Sequence, residues 1–124
     1  MYKGSCLCGE ITFELKVEPS WVSNCHCKMC QKQHGAAFAT YASVLKKDFA
    51  YLSGTKFLST YNSSGSIERK FCSACGSNIE WSGSEEHPEW VSIAIGCFNT
   101  PFEPKAVSNI HTESEACWTK GNES

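Results

Sequence analysis

The chain has 124 residues, a formal charge of −2 and nine cysteines. That length fits one domain, 1–124, with a modest core. No Lys/Arg cluster exceeds Lys46-Lys47 or Arg69-Lys70, so the footprint of nucleic-acid binding is missing, and no apolar stretch approaches the ~18 residues of a membrane span. No apolar run follows Met1. The expected location is therefore cytoplasmic, where clustered thiols read as metal ligands before disulfides.

In chain order, Tyr2-Lys3-Gly4-Ser5 leads into Cys6-Leu7-Cys8-Gly9. Cys6 and Cys8 on a flat strand would stand ~7 Å apart, too far for one ion, so the chain must bend, and Gly9 tolerates the positive φ that a bend requires. Glu10 to Val17 alternates apolar and polar residues and predicts a half-buried strand. Trp21 to Asn24 is a short strand that delivers the chain to Cys25-His26-Cys27-Lys28-Met29-Cys30. One or two helical turns over Lys28 to Gln33 follow, ended by Gly35.

Ala36 to Ala42 reads as a strand whose buried face is ambiguous, because Phe38 and Tyr41 differ in parity. Val44 to Asp48 reads as a helical or turn connection, and Ser53-Gly54 as a turn. Lys56 to Tyr61 and Ser66 to Phe71 are strands around a polar loop. The second strand runs into Cys72-Ser73-Ala74-Cys75-Gly76, a C-x-x-C-G knuckle. Ser77 to Trp81 continues as a strand. Trp90 to Ile95 is a strong strand, with Trp90, Ser92 and Ala94 on one face and Val91, Ile93 and Ile95 on the other. One short segment near Val107 to Ile110 follows. The whole predicts a mainly β fold.

Seven cysteines fall into three groups: Cys6/Cys8, Cys25/Cys27/Cys30 and Cys72/Cys75. The two pairs together fill a tetrahedral four-thiolate zinc site, which closes a long loop and should contribute directly to folding. Adding either pair to the triplet would put five ligands on one ion. The triplet is then a second site, with three protein ligands and one open position, the pattern of catalysis. A local fourth ligand, His26 or His34, would instead close it into a clip. His26 lies between two ligating cysteines, so its side chain should point away from an ion that both hold. Cys97 reads as a small buried hydrophobe extending an apolar strand, and Cys117 is left over beside Trp118.

The blocks G-S-C-L-C-G-E-I (4–11), C-H-C-K-M-C-Q-K-Q-H-G-A-A-F (25–38) and F-C-S-A-C-G-S-N-I (71–79) resemble the glutathione-dependent formaldehyde-activating enzyme family, the CENP-V/GFA domain. The resemblance implies an Mss4-like complex of small antiparallel β-sheets with a structural zinc at Cys6, Cys8, Cys72 and Cys75. It implies a catalytic zinc at Cys25, Cys27 and Cys30, hence two zinc ions per chain. It also implies a carbon–sulfur lyase whose partners are a thiol such as glutathione and a small aldehyde, formaldehyde in the family's named reaction. The C-terminal third departs from the family pattern: Asn99-Thr100-Pro101 stands where an Asp-rich turn before Pro is common, and Asn109-Ile110-His111 with Ser114 and Cys117-Trp118 stands for a His-Ile-aromatic stretch.

Zinc with three thiolates is a weak acidifier of water but binds a further soft donor well, which suits thiol chemistry. His34, Lys28 or Lys32 could supply a proton or steady substrate carboxylates. The rival expectation is a non-catalytic zinc-binding or interaction module on the same fold, and a third is a lyase acting on another thiol adduct. Nothing in the sequence assigns an oligomeric state.

Overall fold

A computed structural model of the chain describes residues 1–122. It holds ten strands, one α-helix and several 3₁₀ turns. The strands are β1 (Tyr2–Ser5), β2 (Thr12–Leu15), β3 (Trp21–Cys25), β4 (Ala39–Leu45), β5 (Phe49–Ser53), β6 (Leu58–Ser64), β7 (Ile67–Cys72), β8 (Asn78–Ser82), β9 (Trp90–Ala94) and β10 (Ser108–Ile110), and the helix is α1 (Lys28–His34). They form a three-stranded sheet of order β1-β2-β5 and a seven-stranded sheet of order β10-β3-β4-β9-β8-β7-β6. Every pairing is antiparallel except β10 with β3, which is parallel. No described helix is long and apolar enough to cross a membrane.

The core lies between the sheets. Ile11, Phe13 and Leu15, around and on β2, meet Val44, Ile79, Val91 and Ile93 from one face of the large sheet, and all seven are 2% exposed or less. Phe49 and Tyr51 on β5 pack against this cluster. Burial of side chains of this size stabilises by roughly 1.5–3 kcal/mol each. A second cluster, centred on Cys25, Cys30, Ala39, Tyr41 and Ala94, includes the three-cysteine segment.

Alternation along β9 is as expected: Val91 and Ile93 point into the core, while Trp90 and Ser92 line a cavity on the other face. Other elements differ from the sequence reading. The expected strand at Ala36 to Ala42 begins at Ala39 and runs to Leu45, because Gly35 caps α1 in the left-handed region and the chain needs Ala36 to Phe38 to turn back. This removes the parity conflict, since Phe38 precedes the strand and is exposed while Tyr41 is buried. Val44 and Leu45 belong to β4, and only Lys46–Asp48 forms the helical turn. Tyr2–Ser5 and Phe49–Ser53, not read as strands, flank β2 on its two sides. Cys97 does not extend β9; it ends a 3₁₀ turn over Ile95–Cys97.

Candidate metal centres and the cavity beside them

The first thiol group joins the two sheets. Cys6 and Cys8 follow β1, Cys72 ends β7, and Cys75 lies in the turn before β8. Gly9 (φ +83°) closes one turn, with its amide donating to the Cys6 carbonyl at 3.1 Å. Gly76 (φ +82°) closes the other by donating to the Cys72 carbonyl at 2.7 Å. The four sulfurs all lie within 4.8 Å of one another. Cys6 to Cys8 is 3.5 Å and Cys8 to Cys72 is 3.9 Å. A tetrahedral zinc with Zn–S bonds of about 2.3 Å has S···S edges of roughly 3.8 Å, so the donor set and its spacing fit that ion. Ser77 couples the two turns: its hydroxyl accepts from the Leu7 amide at 2.8 Å and lies 3.3 Å from the Cys75 sulfur. Hydrogen bonds from Ser77 hold the Cys75 thiol down at about 5.

The second group is built at the junction of β3 and α1. Cys25 ends the strand, Cys27 is the helix N-cap, and Cys30 lies in the first turn with its amide donating to the Cys27 sulfur at 3.3 Å. The three sulfurs lie within 4.8 Å of one another, and among the described residues no fourth Cys, His, Asp or Glu joins them. Cys30 is 1% exposed, Cys25 7%, and Cys27 is half-buried. The hydrogen bond from Cys25, helped by Arg69, holds the Cys30 thiol down at about 5, while the same pairing and burial push Cys25 up.

All three sulfurs open onto a cavity of about 680 Å³ on the outer face of the large sheet. One transverse row of Cα partners crosses its floor: Trp21 on β3, Ser43 on β4, Ser92 on β9, Trp81 on β8 and Arg69 on β7. Each of the five lines the cavity. Arg69 is buried. Its Nη1 donates to Gln33 Oε1 at 2.8 Å and reaches the Cys30 sulfur at 3.5 Å, and its Nε donates to Ser63 Oγ at 3.0 Å.

His26 is buried, does not line the cavity and does not join the three-thiol group. Its Nε2 is 3.0 Å from Asn109 Oδ1, its ring lies tilted against Phe38 with centroids 5.0 Å apart, and its Nδ1 has no hydrogen-bond partner. His34 does not line the cavity; it stands behind Tyr41, with its Nε2 3.0 Å from the Tyr41 hydroxyl, and burial together with the nearby Arg69 charge pulls its pKa down. Tyr41 does line the cavity, and burial keeps its hydroxyl protonated. Lys28 and Lys32 are exposed on α1 and do not line the cavity. Cys97 sits between the two thiol groups, donating to the Asn78 carbonyl at 3.3 Å, and Cys117 is exposed.

Arg69, Tyr41 and the tryptophans of the cavity were not singled out from sequence. Arg69 read only as half of a basic pair, and its contact with Cys30 spans 39 residues. The available signal was alternation along β7, which puts Arg69 on the face opposite Glu68 and Lys70.

A mainly β domain with one four-thiol cluster, and one three-thiol cluster open to a cavity, defines a small cysteine-rich protein whose two thiol groups could each hold a metal ion. The sequence profile of the glutathione-dependent formaldehyde-activating enzymes matches residues 1–114, and the chain belongs to that family. It is 25% identical over 117 residues to an uncharacterized lyase of Schizosaccharomyces pombe, a match covering 94% of this chain and 77% of the relative. It also shares the fold of a Rhodobacter sphaeroides protein of known crystal structure, with a TM-score of 0.69 and 22% identity over 86% of this chain and 98% of the other.

Proposed function

We propose that the protein is a carbon–sulfur lyase that joins a thiol to a small aldehyde and cleaves the adduct, the glutathione–formaldehyde reaction being the one for which its family is named. The observation that carries this reading is the three-thiol cluster, with no fourth ligand among the described residues, opening into a cavity. Zinc held by Cys25, Cys27 and Cys30 would supply a soft site that keeps a substrate thiol deprotonated near neutral pH. A second zinc, held by Cys6, Cys8, Cys72 and Cys75, would serve the fold. Nine unpaired thiols suit a reducing compartment, and we assign the protein to the cytoplasm.

In the forward direction the substrate sulfur donates an electron pair to the aldehyde carbon, forming the C–S bond as the carbonyl π pair moves to oxygen. That oxygen needs one proton, and the thiol has lost one. Tyr41 is the protonated hydroxyl on the cavity wall, and His34 stands 3.0 Å behind it. Tyr41 gives its hydroxyl proton to that oxygen and is restored by the proton the thiol released into the cavity, while His34 holds the hydroxyl in place from behind. Arg69 steadies Cys30 through its guanidinium. Lys28 and Lys32, exposed outside the cavity, take no part in this reading.

The test is metal content and turnover of Cys27→Ser beside the parent. Two zinc ions falling to one, with loss of thiol–aldehyde turnover and a folded protein, is expected. A parent with one zinc and no turnover with any thiol would leave an interaction module in its place.

A further inference from the structure

The cavity beside the three-thiol site has the wrong chemistry for a zwitterion. Its walls are Trp21, Trp81, Trp90, Met29, Ile67 and Ile110, so three of the chain's four tryptophans surround one space. Its volume of about 680 Å³ falls in the range of pockets that enclose a whole small organic molecule. Among the described lining residues there is no Asp, Glu or Lys. Polar groups on the floor are already satisfied: Ser43 and Ser92 hydrogen-bond each other at 2.8 Å. The one permanent cation, Arg69, is committed to Ser63, Gln33 and Cys30. His111 lines the mouth but is exposed and turned to Glu113, with Nδ1 3.5 Å from its carboxylate.

Glutathione carries two carboxylates and an ammonium. In this space the ammonium would find no carboxylate, and the carboxylates would meet one guanidinium that is already paired and two imidazoles, His87 and His111. A buried charge without a partner is strongly disfavoured, whereas an aryl face against tryptophan is favoured. The group attached to the substrate sulfur is the one that must run from the cysteines along the row toward Trp81.

We propose that the thiol taken at this site is uncharged and carries an aryl or branched-alkyl group seated among Trp21, Trp81 and Trp90. This rests on the lyase reading above, and it changes the thiol while keeping the small aldehyde.

The test titrates the zinc-loaded protein with benzyl mercaptan and, separately, with glutathione, following tryptophan fluorescence and heat of binding. Both probes present one thiol, so the ratio of their affinities isolates the attached group. Benzyl mercaptan should bind at least tenfold more tightly. Trp81→Ala should lose at least tenfold of that affinity, with glutathione unaffected, and Trp118→Ala, outside the cavity, should change neither. Should Trp81→Ala fail to fold, Met29→Lys, at a half-exposed wall position, should weaken benzyl mercaptan and strengthen glutathione. Glutathione binding as tightly as benzyl mercaptan, or Met29→Lys leaving the ratio unchanged, overturns the proposal. Turnover with formaldehyde is scored separately. Its absence with both thiols overturns the lyase reading, while the affinity ratio still decides this one.

Discussion

The Arg69 guanidinium lies 3.5 Å from the sulfur of Cys30, buried with it beneath the cavity floor. Three thiolates holding an ion at sulfurs within 4.8 Å of one another would repel, and a fixed cation that never deprotonates would offset part of that repulsion. Arg69→Leu should therefore weaken metal retention at Cys25, Cys27 and Cys30 while the four-thiol site keeps its ion. A chelator competition on the zinc-loaded protein should release one equivalent far faster than from the parent. Hydrogen bonds to charged groups contribute about 1.5–3 kcal/mol each, so Tm should also fall by several degrees. Equal release rates in variant and parent would remove Arg69 from this role.

The two thiol groups should respond to loss of one ligand in opposite ways. Cys72 is fully buried and ties β7 to the start of the chain. Structural zinc contributes about 10–16 kcal/mol in zinc-finger peptides, comparable with the whole net stability of roughly 5–15 kcal/mol that a domain has to lose. Cys72→Ser should thus abolish cooperative melting and yield insoluble protein. Cys27, half-buried at the cavity, is the contrasting position: Cys27→Ser should retain a sigmoidal melt and near-parent circular dichroism. A soluble, cooperatively melting Cys72→Ser protein would show that the sheets hold together without the clip.

Glu80 is buried between the sheets and accepts hydrogen bonds from Tyr51 at 2.7 Å and Ser82 at 2.6 Å, with Lys70 3.7 Å away. Tyr51→Phe keeps the ring packed on Phe49 and removes one bond to the carboxylate. The loss should be about 1.5–3 kcal/mol, read as a shift in denaturant midpoint at unchanged slope. Thiol binding at the cavity, on the opposite face of the large sheet, should not change.

Burial, reinforced by the Arg69 charge, lowers the pKa of His34. The unfolded chain titrates this group near its ordinary value of about 6.5 and so takes up its proton at higher pH than the folded chain does. The contribution of His34 is therefore fully present above about pH 6.5 and is lost as pH falls toward the folded pKa. His34→Gln should show a shallower decline in Tm below about pH 6.5 than the parent. Parallel curves for the two proteins would place the acid sensitivity elsewhere.

What could be read from sequence was what local spacing dictates. The ligands within Cys25-x-Cys27-x-x-Cys30 and Cys72-x-x-Cys75 are neighbours along the chain, so counting them anticipates which sulfurs meet. The faces of β9 were legible because Val91 and Ile93 alternate cleanly with Trp90 and Ser92. The cavity floor was not legible, because its members are neighbours only through register. Trp21 meets Ser43, Ser43 meets Ser92, Ser92 meets Trp81, and Trp81 meets Arg69 across four separate pairings. The last of these pairings carries a bulge between Lys70 and Phe71 that no periodicity announces. β1 escaped notice because its apolar content is low: Gly4 is buried not for its own surface but because the Phe13 ring and the Cys97 carbonyl leave no room for a Cβ. The parallel pairing of β10 on β3 joins Asn109 to Asn24 over 85 residues and has no local signature.

The span between the two halves of the four-thiol site bears on how the molecule is born. Cys8 must wait 64 residues for Cys72. At about 5–20 residues per second of synthesis, that is roughly 3–13 s during which the first two thiols are without their partners. Completion of the four-thiol group is thus timed by the emergence of Cys75, and the large sheet closes only when β8, β9 and β10 follow it. A ribosome working in a metal-starved cell would release an open chain with reactive thiols at both ends of the gap, an early target for quality-control proteases.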